Sequence, residues 1–487
     1  MQHDSLNLAK VAVHGTLWAY ISTYGGKLLA FVATTILARL LLKEDFGIAG
    51  YALIFIGFLE MINGLGIGSA LIFFPVDLKR NTSAFWLVLA IGLLLFIATW
   101  FLAPFIGIFF NDMRAVPVTR VLALTLPLSA LGNVHEAMLR KNLAFKTKAI
   151  PDFIRTVGKG IVSIVLALLG FGVWSLIIGQ LAGALFSVIV FWVVVPWRPT
   201  FSIAREFVRP LLSYGTNIVL VNVLGILVLN ADYLLVGRYL GAAALGVYTL
   251  AFRVPDLLIG QFADIMGQVL FPVYSKMTED SGLIKRGLAA TLRYVSMVTT
   301  PLGLGLALIA NPFVLTFFTD KWSEVTPILT LIAIASVINS FGYNFGDVYK
   351  AQGKPEVLTK ISFLRAVVLL PSLWWAVTGP ATLWAVSWVV VFVSIIGTLM
   401  QFIAANLVIG ISFRDIFDAF RPAAIGGAVM ALMVSVVLFL LAGASPLIQL
   451  LAAVLAGGIT YLGVLWLFQR EEAISAFHVL QKSLLKR

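Results

Sequence analysis

The chain has 487 residues, of which 61% are hydrophobic and 11% charged, with a net charge of +12 and no cysteine. Soluble domains are about half apolar and about a quarter charged, so this balance suits a bilayer rather than water. The missing cysteine excludes a disulfide framework and thiolate metal sites, and basic residues scattered through short loops exclude a nucleic-acid-binding face.

A spanning helix needs roughly 20 apolar residues to cross about 30 Å. Runs such as 163–169 and 428–442 are continuously apolar. Barrel strands would alternate instead, so the spans are predicted to be helices. Fourteen are predicted, at about 14–41, 46–74, 84–110, 115–139, 150–170, 173–195, 207–236, 243–270, 287–318, 325–349, 357–377, 381–408, 421–442 and 446–468. The first is too long for a signal h-region and ends without a cleavage site, so it reads as a span. Pro, Gly, Asn and charge mark the breaks, as at Asn111-Asp112, Pro196-Trp197-Arg198-Pro199 and Gly353-Lys354-Pro355.

Lys and Arg set the orientation. With the N-terminus inside, the cytoplasmic loops hold Arg140, Lys141, Lys146, Lys148, Arg198, Lys285, Arg286 and many others. The outside set is only Arg39, Lys43, Arg114, Arg120, Arg238 and Lys321. Both termini are therefore expected in the cytoplasm.

An internal repeat is visible. Ala38-Arg39-Leu40-Leu41, then Phe46-Gly47 and Ala52, resembles Gly237-Arg238-Tyr239-Leu240, then Leu245-Gly246 and Ala251. Trp174 has a counterpart in Trp384. The spacing corresponds to six helices, an even number, so the halves share one orientation about an axis along the membrane normal. The expected fold is an all-α membrane protein of two parallel six-helix bundles, 1–200 and 201–412, with added helices over 413–470 and a basic cytoplasmic tail over 471–487.

Charges inside hydrocarbon are costly and mark function or structural pairing. Lys27, Lys159, Arg253, Arg293 and Arg365 fall well inside predicted spans, with Lys27 and Arg253 nearest the midplane, one in each half. Lys159, Arg293 and Arg365 either snorkel toward the inner surface or line a cavity. Glu60, Asp256 and Asp264 either carry coupling protons or neutralise the bases. Arg253 and Asp256, three residues apart, are spaced to pair. A cavity holding several cations suits an anion, a diphosphate above all. Asn63, Asn217, Asn222, Asn230, Asn339 and Asn344 lie in spans as sugar ligands or as interhelical glue. The pairs Gly64/Gly68 and Gly179/Gly183 read as close helix packing.

Catalytic signatures are missing. No GxxxxGK[ST] loop, HExxH or GxSxG occurs, and the four histidines are dispersed, with His135 beside Glu136 reading as interfacial. The predicted outside loops are short, which argues against a glycan polymerase or ligase. No metal or cofactor is expected.

Several segments resemble a known family. Asn230-Ala231-Asp232-Tyr233-Leu234-Leu235-Val236-Gly237-Arg238-Tyr239-Leu240-Gly241, with Ala244-Leu245-Gly246-Val247-Tyr248 and Ala251-Phe252-Arg253-Val254-Pro255, resembles the helix 7–8 signature of bacterial polysaccharide exporters. Arg140-Lys141-Asn142-Leu143-Ala144-Phe145-Lys146, Gly172-Val173-Trp174-Ser175-Leu176 and Leu42-Lys43-Glu44-Asp45-Phe46-Gly47 resemble three of their turns. The resemblance, over nearly the whole chain, is to Wzx-type flippases of the polysaccharide transport family, nearest the WzxC-like branch, within the multidrug/oligosaccharidyl-lipid/polysaccharide exporter superfamily.

That resemblance implies a monomer in the bacterial inner membrane. It would move undecaprenyl-diphosphate-linked oligosaccharide repeat units outward by alternating access, coupled to a proton or sodium gradient or to the membrane potential. Membrane lipids and other polysaccharide assembly proteins are the implied neighbours. Lys27, Arg253, Arg293, Arg365, Asn63, Asn217 and Asn222 are the expected substrate contacts. Glu60, Asp256 and Asp264 are assigned to coupling or ion pairing, and Arg39, Asp232 and Arg238 to a gate or structural ion pair near the outer surface. The rival readings are a cation/drug antiporter of the same superfamily, which wants acidic residues in its cavity, and a membrane glycan ligase or polymerase.

Overall fold

The computed structural model describes residues 25–468 apart from 65, 76, 205, 213–229, 261, 263–265, 268–269, 271–272, 276 and 278–279. Among these the fold is helical, with no strand. It packs as two units, Met1–Thr249 and Leu250–Arg487.

The first unit contains α1 (25–40), α2 (Lys43–Gly64), α3 (Ile67–Phe73), α4 (Leu78–Phe110), α5 (Ala115–Leu122), α6 (Thr125–Lys141), α7 (Phe145–Leu168), α8 (Val173–Val194), α9 (206–212) and most of α10 (Ala231–Pro255). The second begins at the end of α10, passes a π-helical turn (Asp256–Gly260), and holds α11 (Ser281–Leu308), α12 (Ala310–Phe317), α13 (Val325–Tyr343), α14 (Phe345–Ala351), α15 (Glu356–Thr378), α16 (Leu383–Ile409), α17 (Phe413–Leu440) and α18 (Pro446–Phe468).

Ten described segments are long and apolar enough to cross a membrane, or eleven if α11 and α12, bent by 70°, cross as one. Fourteen spans are expected from sequence. The predicted first and seventh spans run over residues outside the described set. The fifth is helical as α7 but carries Lys146, Lys148, Asp152, Arg155 and Lys159, too many charges for a span judged by composition.

One of the ten segments, Ala231–Gly260, is not a single crossing. Asp232 and Tyr248 would stand about 24 Å apart on an unbroken helix, yet the Tyr248 hydroxyl donates to Asp232 Oδ2 at 2.8 Å. The chain reverses at Gly241, whose φ of 85° favours glycine. This is the predicted turn between spans seven and eight.

Helix ends follow their sequence. The Asp77 carboxylate accepts from the Lys79 and Arg80 amides to start α4, and Asn111, at φ 53°, ends it. In the following loop the Arg114 guanidinium bonds the Asp112 carboxylate at 2.8 Å and holds it below the usual carboxylate range. On the opposite side, basic residues satisfy orphan carbonyls at helix C-termini. Lys141 Nζ donates to the Leu71 and Phe74 carbonyls, and Arg198 donates to those of Trp192, Val195 and Trp197. Some of the positive charge in these loops therefore closes helices.

The first unit buries Ile67, Leu71, Phe85, Val88, Val134 and Leu211 in one cluster, which ties α3, α4, α6 and α9 together. In the second unit Tyr274, Leu288, Phe345, Tyr349 and Ile416 form a comparable cluster.

The α7–α8 hairpin relies on absent side chains. A Cβ at Gly179 would fall 1.9 Å from Ser163 Oγ, and one at Gly183 2.6 Å from the Arg155 carbonyl oxygen. This is the close packing expected of that pair. Gly64 and Gly68 differ, since a Cβ at either meets nothing within 4 Å. They flank the break at Gly66 (φ 59°) and seal no interface. Gly183→Leu is therefore expected to destabilise the protein by at least about 2 kcal/mol through overpacking, while Gly68→Ala stays near neutral. Melting midpoints in detergent compare the two.

The repeat has a structural counterpart within the first unit. A Cβ on Gly47 would lie 1.8 Å from the Ala242 carbonyl oxygen, and one on Gly246 would lie 2.1 Å from that of Lys43. One offset, 199 residues, relates Gly47 to Gly246 and Lys43 to Ala242. The contact is thus reciprocal, as a two-fold relation between repeats requires. Tyr51 reinforces this neighbourhood, donating to the Gly237 carbonyl at 3.2 Å and stacking on Phe110.

Candidate functional site

Three helices of the first unit line an open cavity of about 540 Å³ that carries several charged side chains. Helix α1 contributes Gly26, Lys27 and Ala30, α6 contributes Glu136 and Arg140, and α7 contributes Phe145, Lys148, Ala149, Asp152 and Thr156. Small residues bring α1 against α7, with a Cβ on Gly26 lying 3.6 Å from Thr156 Oγ1 and one on Gly160 lying 3.3 Å from the Ala33 Cβ.

Lys148 Nζ bridges Asp152 Oδ2 at 2.7 Å and Glu136 Oε1 at 3.3 Å. Lys27 and Arg140 have no ion-pair partner among the described residues. Three cations against two carboxylates leave the wall net positive, with two of the cations available to an anion. Neither Glu136, Arg140, Lys148 nor Asp152 is among the expected site residues. The Lys148/Asp152 pair is readable as an i, i+4 helix pair. Its meeting with Lys27 and Glu136 is a tertiary fact with no sequence signal.

Lys27 stands thirteen residues before the end of α1 at Leu40, about 20 Å along the helix axis, where it lines the cavity beside the start of α7. Glu60 is half-buried on α2. Asn63 is 1% exposed and donates to the Leu126 carbonyl at 2.8 Å, the contact of an amide that ties helices together.

Of the residues assigned to a gate or structural ion pair, Asp232 and Arg238 do not pair with each other. Six residues apart, the two side chains point to different helix faces. Asp232 accepts the Tyr248 hydroxyl, while Arg238 Nη1 reaches the Ile108 carbonyl at 3.4 Å and its guanidinium stacks over Phe109. Arg39 is exposed at the end of α1. Tyr248→Phe is expected to cost about 1–3 kcal/mol, because it leaves a half-buried carboxylate short of a donor. Asp232→Asn, which keeps an acceptor, is expected to cost less, and melting midpoints rank them.

In the second unit Arg253 and Asp256 are both exposed and do not pair with each other; Arg253 lies in the last turn of α10, and the π-helical turn begins at Asp256. The Asp256 carboxylate lies instead beside Gly260. Arg293 is half-buried on α11, and Arg365 Nη2 donates to Asn339 Oδ1 at 3.0 Å. Asn217, Asn222 and Asp264 lie outside the described residues. His135, expected at the interface, is 0% exposed and stacks on Trp192 at 5.1 Å, with Trp197 edge-on.

Comparisons with known proteins place these features. The chain is 27% identical over 400 residues to the succinoglycan biosynthesis transport protein ExoT of Rhizobium meliloti (strain 1021), covering 78% of this chain and 80% of that one. It is 26% identical to the teichuronic acid biosynthesis protein TuaB of Bacillus subtilis (strain 168), covering 81% and 82%. With the lipopolysaccharide biosynthesis protein WzxC of Escherichia coli (strain K12) the identity is 24%, over 84% of each. In fold it matches the lipid II flippase MurJ in an inward closed conformation, with a TM-score of 0.76 at 18% identity over 94% of this chain and all of that one. It also matches an inward-facing MATE-family multidrug transporter, with a TM-score of 0.61 at 19% identity, over 79% and 94%. A family model described as polysaccharide biosynthesis protein matches residues 36–327, more than half of the sequence, and the chain belongs to that family.

Proposed function

We propose that the chain is a flippase for undecaprenyl-diphosphate-linked oligosaccharide repeat units, carrying them from the cytoplasmic to the periplasmic leaflet of the bacterial inner membrane, with both termini cytoplasmic. The observation that carries this reading is the cavity of the first unit. Lys27, Arg140 and Lys148 converge there, and only Lys148 is neutralised. Cations that converge without matching carboxylates suit a diphosphate, whose oxygens accept charge-assisted hydrogen bonds. Membership of a polysaccharide biosynthesis family supplies the glycan, and relatives named for succinoglycan biosynthesis transport and teichuronic acid biosynthesis support a polysaccharide precursor as cargo.

The reading includes alternating access between two six-helix bundles, 1–200 and 201–412, with 413–470 added, driven by a proton or sodium gradient. The reciprocal Gly47/Gly246 contact supports such a repeat. The chain would act as a monomer and as a transporter, not a catalyst, with other polysaccharide assembly proteins nearby. A cation/drug antiporter is favoured less, because the cavity's bases outnumber its acids.

Reconstituted vesicles test the reading. A fluorescent oligosaccharide on a short polyprenyl diphosphate, placed in one leaflet, is expected to equilibrate across vesicles containing the protein and not across empty ones. Accumulation of a cationic dye without movement of the lipid-linked sugar would select the antiporter instead.

A further inference from the structure

Arg365 stands nine residues inside α15, about 14 Å along the axis from Glu356. A snorkelling arginine sends its head toward the nearer helix end. This one turns sideways, into neutral neighbours. Helices α13 and α16 carry no charged residue at all.

The partners form a directed relay. Ser394, 0% exposed, donates its single hydroxyl hydrogen to the Val390 carbonyl at 2.7 Å. It can then only accept, and Asn339 Nδ2 donates to it at 2.9 Å. That fixes the amide, so Asn339 must present its carbonyl oxygen to the guanidinium, at 3.0 Å. Gly397 clears the space beside the side chain, since a Cβ there would sit 3.4 Å from Arg365 Cδ and 3.5 Å from Nε. The arginine therefore lies against the backbone of α16.

Among the described residues, the bond to Asn339 is the one hydrogen bond of this guanidinium, and no carboxylate pairs with it. A guanidinium has five N–H donors in a planar fork. We propose that Arg365 is a receptor for a lipid-borne phosphate oxyanion, and that Asn339 and Ser394 are positioning residues that hold its fork without neutralising it. A diphosphate on a polyprenyl chain and a phospholipid headgroup share this chemistry. That the phosphate belongs to the transported lipid rests on the flippase reading above.

The test uses the full chain in detergent with geranylgeranyl diphosphate, geranylgeraniol and phosphatidylglycerol as probes. Wild type is expected to bind the diphosphate and not the alcohol. Arg365→Ala is expected to weaken that binding by about tenfold or more, and Arg365→Lys by less, since the charge remains but the fork is lost. Asn339→Asp decides the matter. It puts a carboxylate against the guanidinium, so the unliganded protein should melt no lower than wild type while diphosphate binding falls about tenfold or more. A purely structural amide predicts the reverse, unchanged binding in Asn339→Asp, and that result overturns the proposal. So does wild-type protein that binds neither diphosphate nor phosphatidylglycerol. If phosphatidylglycerol competes equally, the oxyanion site stands and a bilayer headgroup is its source. Loss of binding in Lys27→Ala/Arg140→Ala but not in Arg365→Ala would overturn this site and leave the flippase reading intact. Arg365-dependent binding without sugar-lipid flipping in vesicles would do the opposite.

Discussion

Gly47→Ala is expected to cut export below about a tenth of wild type, with the folded protein destabilised by about 3 kcal/mol or more. Helix propensity alone predicts the other sign, since alanine in a helix interior is favoured over glycine by about 1 kcal/mol. The crossing reverses it. The new methyl would lie 1.8 Å from the Ala242 carbonyl oxygen and 2.4 Å from its carbon, where a carbon–oxygen contact needs about 3.3 Å. Both atoms are backbone, so no side chain can rotate away, and α2 must part from α10. Overpacking of this kind typically costs about 1–3 kcal/mol and more when backbone must move. Gly246→Ala should behave alike, its Cβ meeting the Lys43 oxygen at 2.1 Å. Gly57, on the same helix, meets nothing within 4 Å, and Gly57→Ala is expected to be neutral or slightly stabilising. Protein level and polymer export are measured for the three. Equal behaviour of Gly47→Ala and Gly57→Ala would refute the crossing.

Neutralising the cavity is the second large effect. A hydrogen bond from a charged group contributes about 1.5–3 kcal/mol, and about 1.4 kcal/mol is tenfold in an equilibrium. Lys27→Ala/Arg140→Ala removes the two cations without carboxylate partners and is expected to slow flipping more than tenfold in vesicles. Lys148→Ala should differ in kind. It strands Glu136 and Asp152, which share that ammonium at 3.3 and 2.7 Å, and turns the local field against an anion. Glu136→Gln/Asp152→Asn frees the third cation and is expected to tighten diphosphate binding. Rates that ignore all of these changes would place the substrate elsewhere.

How much of this was legible in the sequence follows from the range of each signal. Apolar runs report burial in lipid directly, and the helical fold follows from them. The turn at Gly241 was marked by glycine within a polar break. The repeat was visible in Phe46-Gly47 and Leu245-Gly246, but not that these glycines lie against each other's helices, because alignment carries no distance. Pairing rules failed where they assumed one regular helix. Arg253 and Asp256 stand at the spacing of a pair, but the regular helix ends at Pro255 and a π-helical turn begins at Asp256. The cavity was hardest to foresee. Its acids and bases come from α1, α6 and α7, and only their packing creates it. The packing of His135 between Trp192 and Trp197 is likewise tertiary and has no signal in its own segment.

The central claim is outward transfer of a lipid-linked diphosphate sugar. The most direct measurement is the sidedness of undecaprenyl-diphosphate oligosaccharide in cells depleted of this protein, complemented with wild type or with Lys27→Ala/Arg140→Ala at matched protein levels. Accumulation on the cytoplasmic face, relieved by wild type and not by the variant, is the predicted result. Normal sidedness in the depleted cells, in a strain with no second flippase, would contradict it.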